Sequence, residues 1–169
     1  MTQLAALLEQ VGRDHPPPAD GGISFFPGPT GTPVAAVFGF TGHHVIAADA
    51  DPDWLTSQFS DCEMTRPLKP DFLAALAGQL DARPGGQDAL GRGLAGRWEI
   101  SLEVEEVRRG AGLGRRLAAY GRALLPAKAL LWAQVHPANV ASMRAFLAAG
   151  YRPVGAEVLF TGARSGVQR

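Results

Sequence analysis

The sequence predicts an α/β fold with a parallel pair of strands at its centre, and three runs of residues carry that expectation. Arg97 to Glu105 alternates strictly, with Trp98, Ile100, Leu102 and Val104 on one face and Arg97, Glu99, Ser101, Glu103 and Glu105 on the other, which is the period of a strand. A glycine-rich turn at Gly110, Gly112 and Gly114 follows, and Leu113, Leu117, Tyr120 and Leu124 then recur at helical spacing as far as Pro126. Ala129 to Val135 is an apolar run of buried-strand length. Strand, turn, helix and strand in that order form a right-handed crossover, which sets the two strands parallel.

The remaining elements follow from local signals. Leu4, Leu7, Leu8 and Val11 mark a short amphipathic helix over Thr2 to Arg13, ended by Pro16-Pro17-Pro18. Ile23 to Phe26 is a short strand, and Val34 to Thr41 and His43 to Asp49 are two strands joined at Gly42. Asp51 caps one helix start and Pro70 opens another. Pro84-Gly85-Gly86 is the clearest loop and the best boundary. Towards the end come a helix with Val140, Met143 and Leu147 on one face, a stop at Gly150, and extended segments at 151–154 and 156–160.

With 169 residues the chain is one compact unit or two small halves. Cys62 is its only cysteine, so no intrachain disulfide forms and a reducing, cytoplasmic setting is expected. No apolar run approaches the ~20 residues of a membrane helix, and the first residues lack a basic leader. Neither a membrane nor a nucleic acid is an expected partner. The zero net charge nevertheless hides a polarity: residues 1–96 hold five basic and eleven acidic side chains, whereas residues 97–169 hold eleven basic and five acidic. An anionic ligand on the second half is one reading, and charge matching between the halves is the other.

Two glycine patterns compete as ligand loops. Gly91-Arg-Gly93-Leu-Ala-Gly96 fits the dinucleotide pattern G-x-G-x-x-G, but a strand follows it where that fingerprint needs a helix. Arg109-Gly110-Ala111-Gly112-Leu113-Gly114 follows a strand and opens a helix. Its amides and the positive end of the helix dipole suit a pyrophosphate, and Arg108, Arg109, Arg115 and Arg116 surround them with charge. A tight turn with solvated arginines is the plain alternative. A Walker A loop is excluded, because Arg115-Arg116 follows Gly114 in place of Lys-Ser/Thr.

The run from Val104 through Arg109 to Gly114 resembles the acyl-CoA signature R-x-x-G-x-G/A of the GNAT superfamily of N-acetyltransferases. Val135-His-Pro-Ala-Asn139, with Ser142, Phe146, Gly150 and Tyr151 after it, is similar to that family's second motif at the same relative spacing. The resemblance covers about residues 97–160. It implies a mixed sheet with a splayed parallel strand pair, helices on both faces, and a single domain over 1–169. Within it, residues 1–90 would form a divergent substrate-side half and residues 91–163 the half that binds acyl-CoA. Acetyl-CoA would lie in the wedge between the splayed strands, with no metal, and would meet Val104, Arg109, Gly110, Ala111, Gly112, Leu113, Gly114, Arg115, His136, Asn139, Ser142 and Phe146. The implied activity is transfer of an acetyl or short acyl group to a small-molecule amine by direct attack. The alternative is an acyl-CoA-binding module with little or no transferase activity. A homodimer is the assembly considered.

Two departures from the family pattern stand out. Phe146 occupies the place of a common tyrosine, and the strands at 34–49 precede the helices of the first half.

For the chemistry, an attacking amine must lose a proton, and a nearby carboxylate can accept it. Glu99, Glu103 and Glu105 share a strand face; on a covered strand they would gather as buried carboxylates with raised pKa values, whereas a solvated face leaves them ordinary. Glu103 is the first candidate base and Glu99 the second. Ser142, one turn before Phe146, and Tyr151 are the candidates to hydrogen-bond the departing thiolate, against simple capping or packing. His136 ends the second parallel strand, where ligand sites collect, and Asn139 is placed to cap the helix after it. His43 and His44 point to opposite faces of a strand, so they cannot share a metal. Trp98 and Trp132 are core residues.

Overall fold

The computed structural model describes residues 2–31, 33–59, 66–85, 91–92 and 94–162; Cys62, Gly86 and Gly93 lie outside them. The chain divides into two compact units, residues 1–86 with 154–169, and residues 87–153.

In the first unit, helix α1 (Gln3–Gly12) buries Leu4, Leu8 and Val11 and is capped by Thr2, whose hydroxyl accepts from the Ala5 amide. Strand β1 (Gly22–Phe26) runs parallel to β3 (His43–Ala48). Strand β2 (Ala35–Phe40) turns tightly into β3, with Phe40 opposite His43 and Gly42 at φ 68°, a conformation that glycine adopts without a Cβ penalty. Every residue of β2 and β3 is buried, so these central strands are covered on both faces and read as apolar runs rather than alternations. Helix α2 (Pro52–Ser57) starts where Asp51 Oδ1 accepts from the Trp54 amide, and α3 (Pro70–Gln79) follows. Leu55, Phe72 and Leu76 from these helices pack on Ala35, Val37, Ile46 and Phe160 of the sheet. Strand β4 (Ala82–Gly85) forms one edge, where the missing amide of Pro84 costs least.

The second unit opens with β5 (Gly91–Arg92), a single 3₁₀ turn over Leu94–Gly96, and β6 (Trp98–Glu99) antiparallel to β5. The described part of the G-x-G-x-x-G pattern therefore leads into a strand, not a helix. Another 3₁₀ turn, Glu106–Arg108, precedes helix α4 (Leu113–Ala123); β7 (Leu131–Trp132) and α5 (Val140–Ala148) follow. Strand β6 is parallel to β7, as the crossover requires, with Trp98 opposite Leu131 and Glu99 opposite Trp132, and the Ile100 amide donates to the Trp132 carbonyl. The regular strand is much shorter than the alternating run: residues 101–105 have no regular secondary structure.

The chain then returns to the first unit as β8 (Ala156–Gly162), which pairs with both β2 and β4. The first sheet thus has the order β1-β3-β2-β8-β4, and the second β5-β6-β7. The expected single mixed sheet is replaced, among the described residues, by two, and 156–160 belongs with the first half rather than with 91–163.

The helices of the second unit also correct an expectation. Leu117, Tyr120 and Leu124 are exposed, while Ala118 and Gly121 are buried. Helix α4 approaches its neighbours through small residues: Gly114 faces Ala145, and a Cβ at Gly121 would run into Ile100 Cδ1. In α5 the buried residue is Phe146, whereas Val140 and Leu147 are exposed. Ile100, Ala118 and Phe146 form the centre of this unit's core, with Leu131, Val135 and Tyr151 packed around them.

Candidate functional site

The glycine turn is built by backbone conformation. Gly110 and Gly112 have φ of 82° and 74°, and Gly112 is the N-cap of α4. A Cβ added at either meets no atom within 4 Å, so these glycines serve the turn and leave open space above it. The amides at the start of α4 carry the partial positive charge of the helix end. Arg109 Nε donates to the Val104 carbonyl at 3.1 Å, closing the loop. Arg108 pairs with Glu105 at 3.2 Å on an exposed surface.

Beside this turn lies a cavity of about 360 Å³, within the range of small-molecule sites. One wall comprises Leu102, Glu103, Val104, Arg108, Arg109, Leu113 and Gly114; the other comprises Asn139, Ala141, Ser142, Ala145 and Phe146. Residues from both sequence motifs thus face one space. Asn139 caps α5, its Oδ1 accepting from the Ser142 amide at 3.0 Å. Ser142 and Phe146 project from successive turns of that helix.

Other candidates stand apart from the cavity lining. Glu99 is buried but held by the Arg97 guanidinium, which also lies 4.9 Å over the Trp132 ring. Glu105 is exposed, and so is Glu103, although it lies on the cavity wall. The expected gathering of buried carboxylates is therefore absent: the strand stops after Glu99, and the later glutamates sit on irregular, solvated backbone. The Tyr151 hydroxyl donates to the Ala118 carbonyl at 3.2 Å, and its ring packs edge-on to Phe146 with centroids 5.0 Å apart. Burial raises the Tyr151 pKa, against the opposing influence of Arg122. That hydroxyl ties the segment after α5 to α4 instead of facing the cavity. His136 is exposed, and its Nδ1 accepts from the Ala138 amide to shape the turn before α5. Gly110, Ala111, Gly112 and Arg115 form or flank the turn without lining the cavity. Trp98 and Trp132 are half-buried.

In the first unit His43 and His44 are both buried and face opposite sides of β3. Burial, and secondarily the charge of His43, lowers the His44 pKa. Among the described residues there is no group of three side chains able to hold a metal ion, and no helix is long and apolar enough to cross a membrane.

The structure defines an α/β protein with a mixed five-stranded sheet and several helices. Compared with protein-family models, curated proteins and solved structures, the chain matches none.

Proposed function

We propose that the chain is an acyl-CoA-dependent N-acyltransferase of the GNAT type, acting on a small amine. The observation that carries this reading is the cavity onto which two motifs, about 30 residues apart in sequence, converge, in a unit that also holds a parallel strand pair. The open space over Gly110 and Gly112 fits a pyrophosphate, which the α4 amides would bind, with the nearby arginines supplying long-range attraction. The apolar part of the lining, Leu102, Val104, Ala145 and Phe146, suits the arm of the acyl donor. Glu103, on the cavity wall, would accept the amine proton directly or through water. Ser142 is the remaining hydroxyl on the wall able to hydrogen-bond the leaving sulfur. A free thiol has a pKa near ~8.5, so its anion leaves with modest help.

A second reading, an acyl-CoA-binding module without transferase activity, draws on Phe146 and on the commitment of the Tyr151 hydroxyl to Ala118. The experiment separating them is calorimetric titration with acetyl-CoA, followed by a panel of amines with free CoA as the readout. The transferase reading requires both binding and amine-dependent release. Gly112→Ala strains a residue at φ 74° and moves the amides it positions, so acetyl-CoA affinity should fall about tenfold, or ~1.4 kcal/mol. Unchanged affinity in a folded variant removes the glycine turn from the site.

A further inference from the structure

We propose that Ser24, His43 and Asp20 form a second catalytic centre, in the first unit, able to cleave esters or thioesters through an acyl-serine. His43 Nδ1 lies 2.7 Å from Asp20 Oδ1, and His43 Nε2 lies 3.0 Å from Ser24 Oγ. A carboxylate only accepts, so Nδ1 donates to Asp20, and with the proton there Nε2 is the nitrogen able to accept from the Ser24 hydroxyl. Nucleophile, base and orienting acid are therefore in line, and the tautomer is the one that removes a proton from serine.

The surrounding backbone is shaped for this contact. Ser24 lies on β1 two residues beyond Gly22, which stands opposite His43 in the parallel register. A Cβ at Gly22 would come 2.8 Å from Asp20 Oδ1 and 3.3 Å from His43 Cε1, so a side chain there would displace the carboxylate from its present place. Gly21 turns the chain at φ 74°, and its amide donates to the Gly42 carbonyl. The His43 ring and the Gly22 amide both donate to Asp20 and hold its carboxyl below the usual carboxylate range. His43 is buried, Ser24 is half-buried and the Asp20 side chain is half-exposed, so solvent reaches the group from the Asp20 side. Among the described residues β1 lies at the edge of its sheet, where backbone donors on the outer side are open to a ligand.

In the step itself, Ser24 Oγ attacks the carbonyl carbon and its proton passes to His43 Nε2. The carbon–oxygen or carbon–sulfur bond breaks, and that proton leaves with the alcohol or thiol. Water then attacks the acyl-serine, gives a proton to His43, and releases the acid as the proton returns to Ser24.

The test is treatment of the full chain with a fluorophosphonate, read by intact mass and peptide mapping, with p-nitrophenyl acetate hydrolysis as the rate assay. The expected result is one adduct, on Ser24, absent from Ser24→Ala and formed at least about 100-fold more slowly in Asp20→Asn and His43→Gln. An unlabelled Ser24 in the folded wild-type chain overturns the proposal, whether or not the variants fold. Labelling that is as fast in Asp20→Asn as in the wild type also overturns it, because the three residues would then only fasten β1 to β3.

Discussion

Gly121 is where the position of α4 can be tested against numbers. Replacing it with alanine gains about 1 kcal/mol of helix propensity, but the new methyl runs into Ile100 Cδ1. Leu131 Cδ2 at 3.6 Å and Ile100 Cγ1 at 3.7 Å are ordinary contacts, so the whole conflict lies with one methyl group. Overpacking of this kind costs about 1–3 kcal/mol, and Gly121→Ala should therefore be destabilised by about 0–2 kcal/mol net. Ile100→Val removes the opposing methyl and alone costs about 0.5–1.5 kcal/mol. In the double variant the alanine fills the space just vacated. That protein should be at least as stable as Ile100→Val alone, giving a coupling of about 1–3 kcal/mol. Urea unfolding followed through the fluorescence of Trp98 and Trp132, with Trp54 replaced by phenylalanine throughout, measures all four corners of the cycle. Additivity within about 0.5 kcal/mol would mean that α4 does not lie against Ile100, and the cavity wall at Gly114 would have to be redrawn with it.

Glu103→Gln should lower amine acetylation by about 10²–10⁴-fold while leaving acetyl-CoA affinity intact, as pre-steady-state and binding measurements would show; full activity removes the base from this position. Phe146→Tyr should keep or raise acetyl transfer, since residue 146 already lines the cavity and gains a donor there. Loss of transfer with acetyl-CoA still bound would favour the binding module. Because burial depresses the His44 pKa, the unfolded chain takes up a proton that the folded chain resists as pH falls below the ordinary value of 6.5. Its stabilising contribution is complete above that pH and is lost towards the lowered folded value. His44→Leu should flatten the stability profile across this window in thermal melts, and an unchanged slope would exclude His44 as its source.

Local signals in the sequence suffice where turns and caps decide the structure. Thr2, Asp51, Pro70, Gly42 and Asn139 each mark a boundary through a short-range bond or a backbone preference, and neither depends on the rest of the chain. The alternation at 97–105 overstates the strand, because it reports which faces could be buried but not where a neighbouring strand stops. The face of α4 differs for a related reason: apolar spacing favours Leu117, Tyr120 and Leu124, whereas close approach to Ile100 selects Ala118 and Gly121. The glycine turn and the α5 cap carried the part of the cavity that was legible. The contact of Ser24 and Asp20 with His43 carried no periodic signal, since it exists only once β1 is paired beside β3.

The late return of β8 has a consequence for synthesis. The first unit's sheet lacks an inner strand until residues 156–162 have been made, after the whole of 87–153. At about 5–20 residues per second, that interval is on the order of 3–13 s. Throughout it β2, apolar along its entire length, has one side without a partner, and such an edge recruits other chains. A nascent chain stalled before residue 154 should therefore be the aggregation-prone species, and a chaperone that shields β2 would raise the yield of folded protein without altering its final stability.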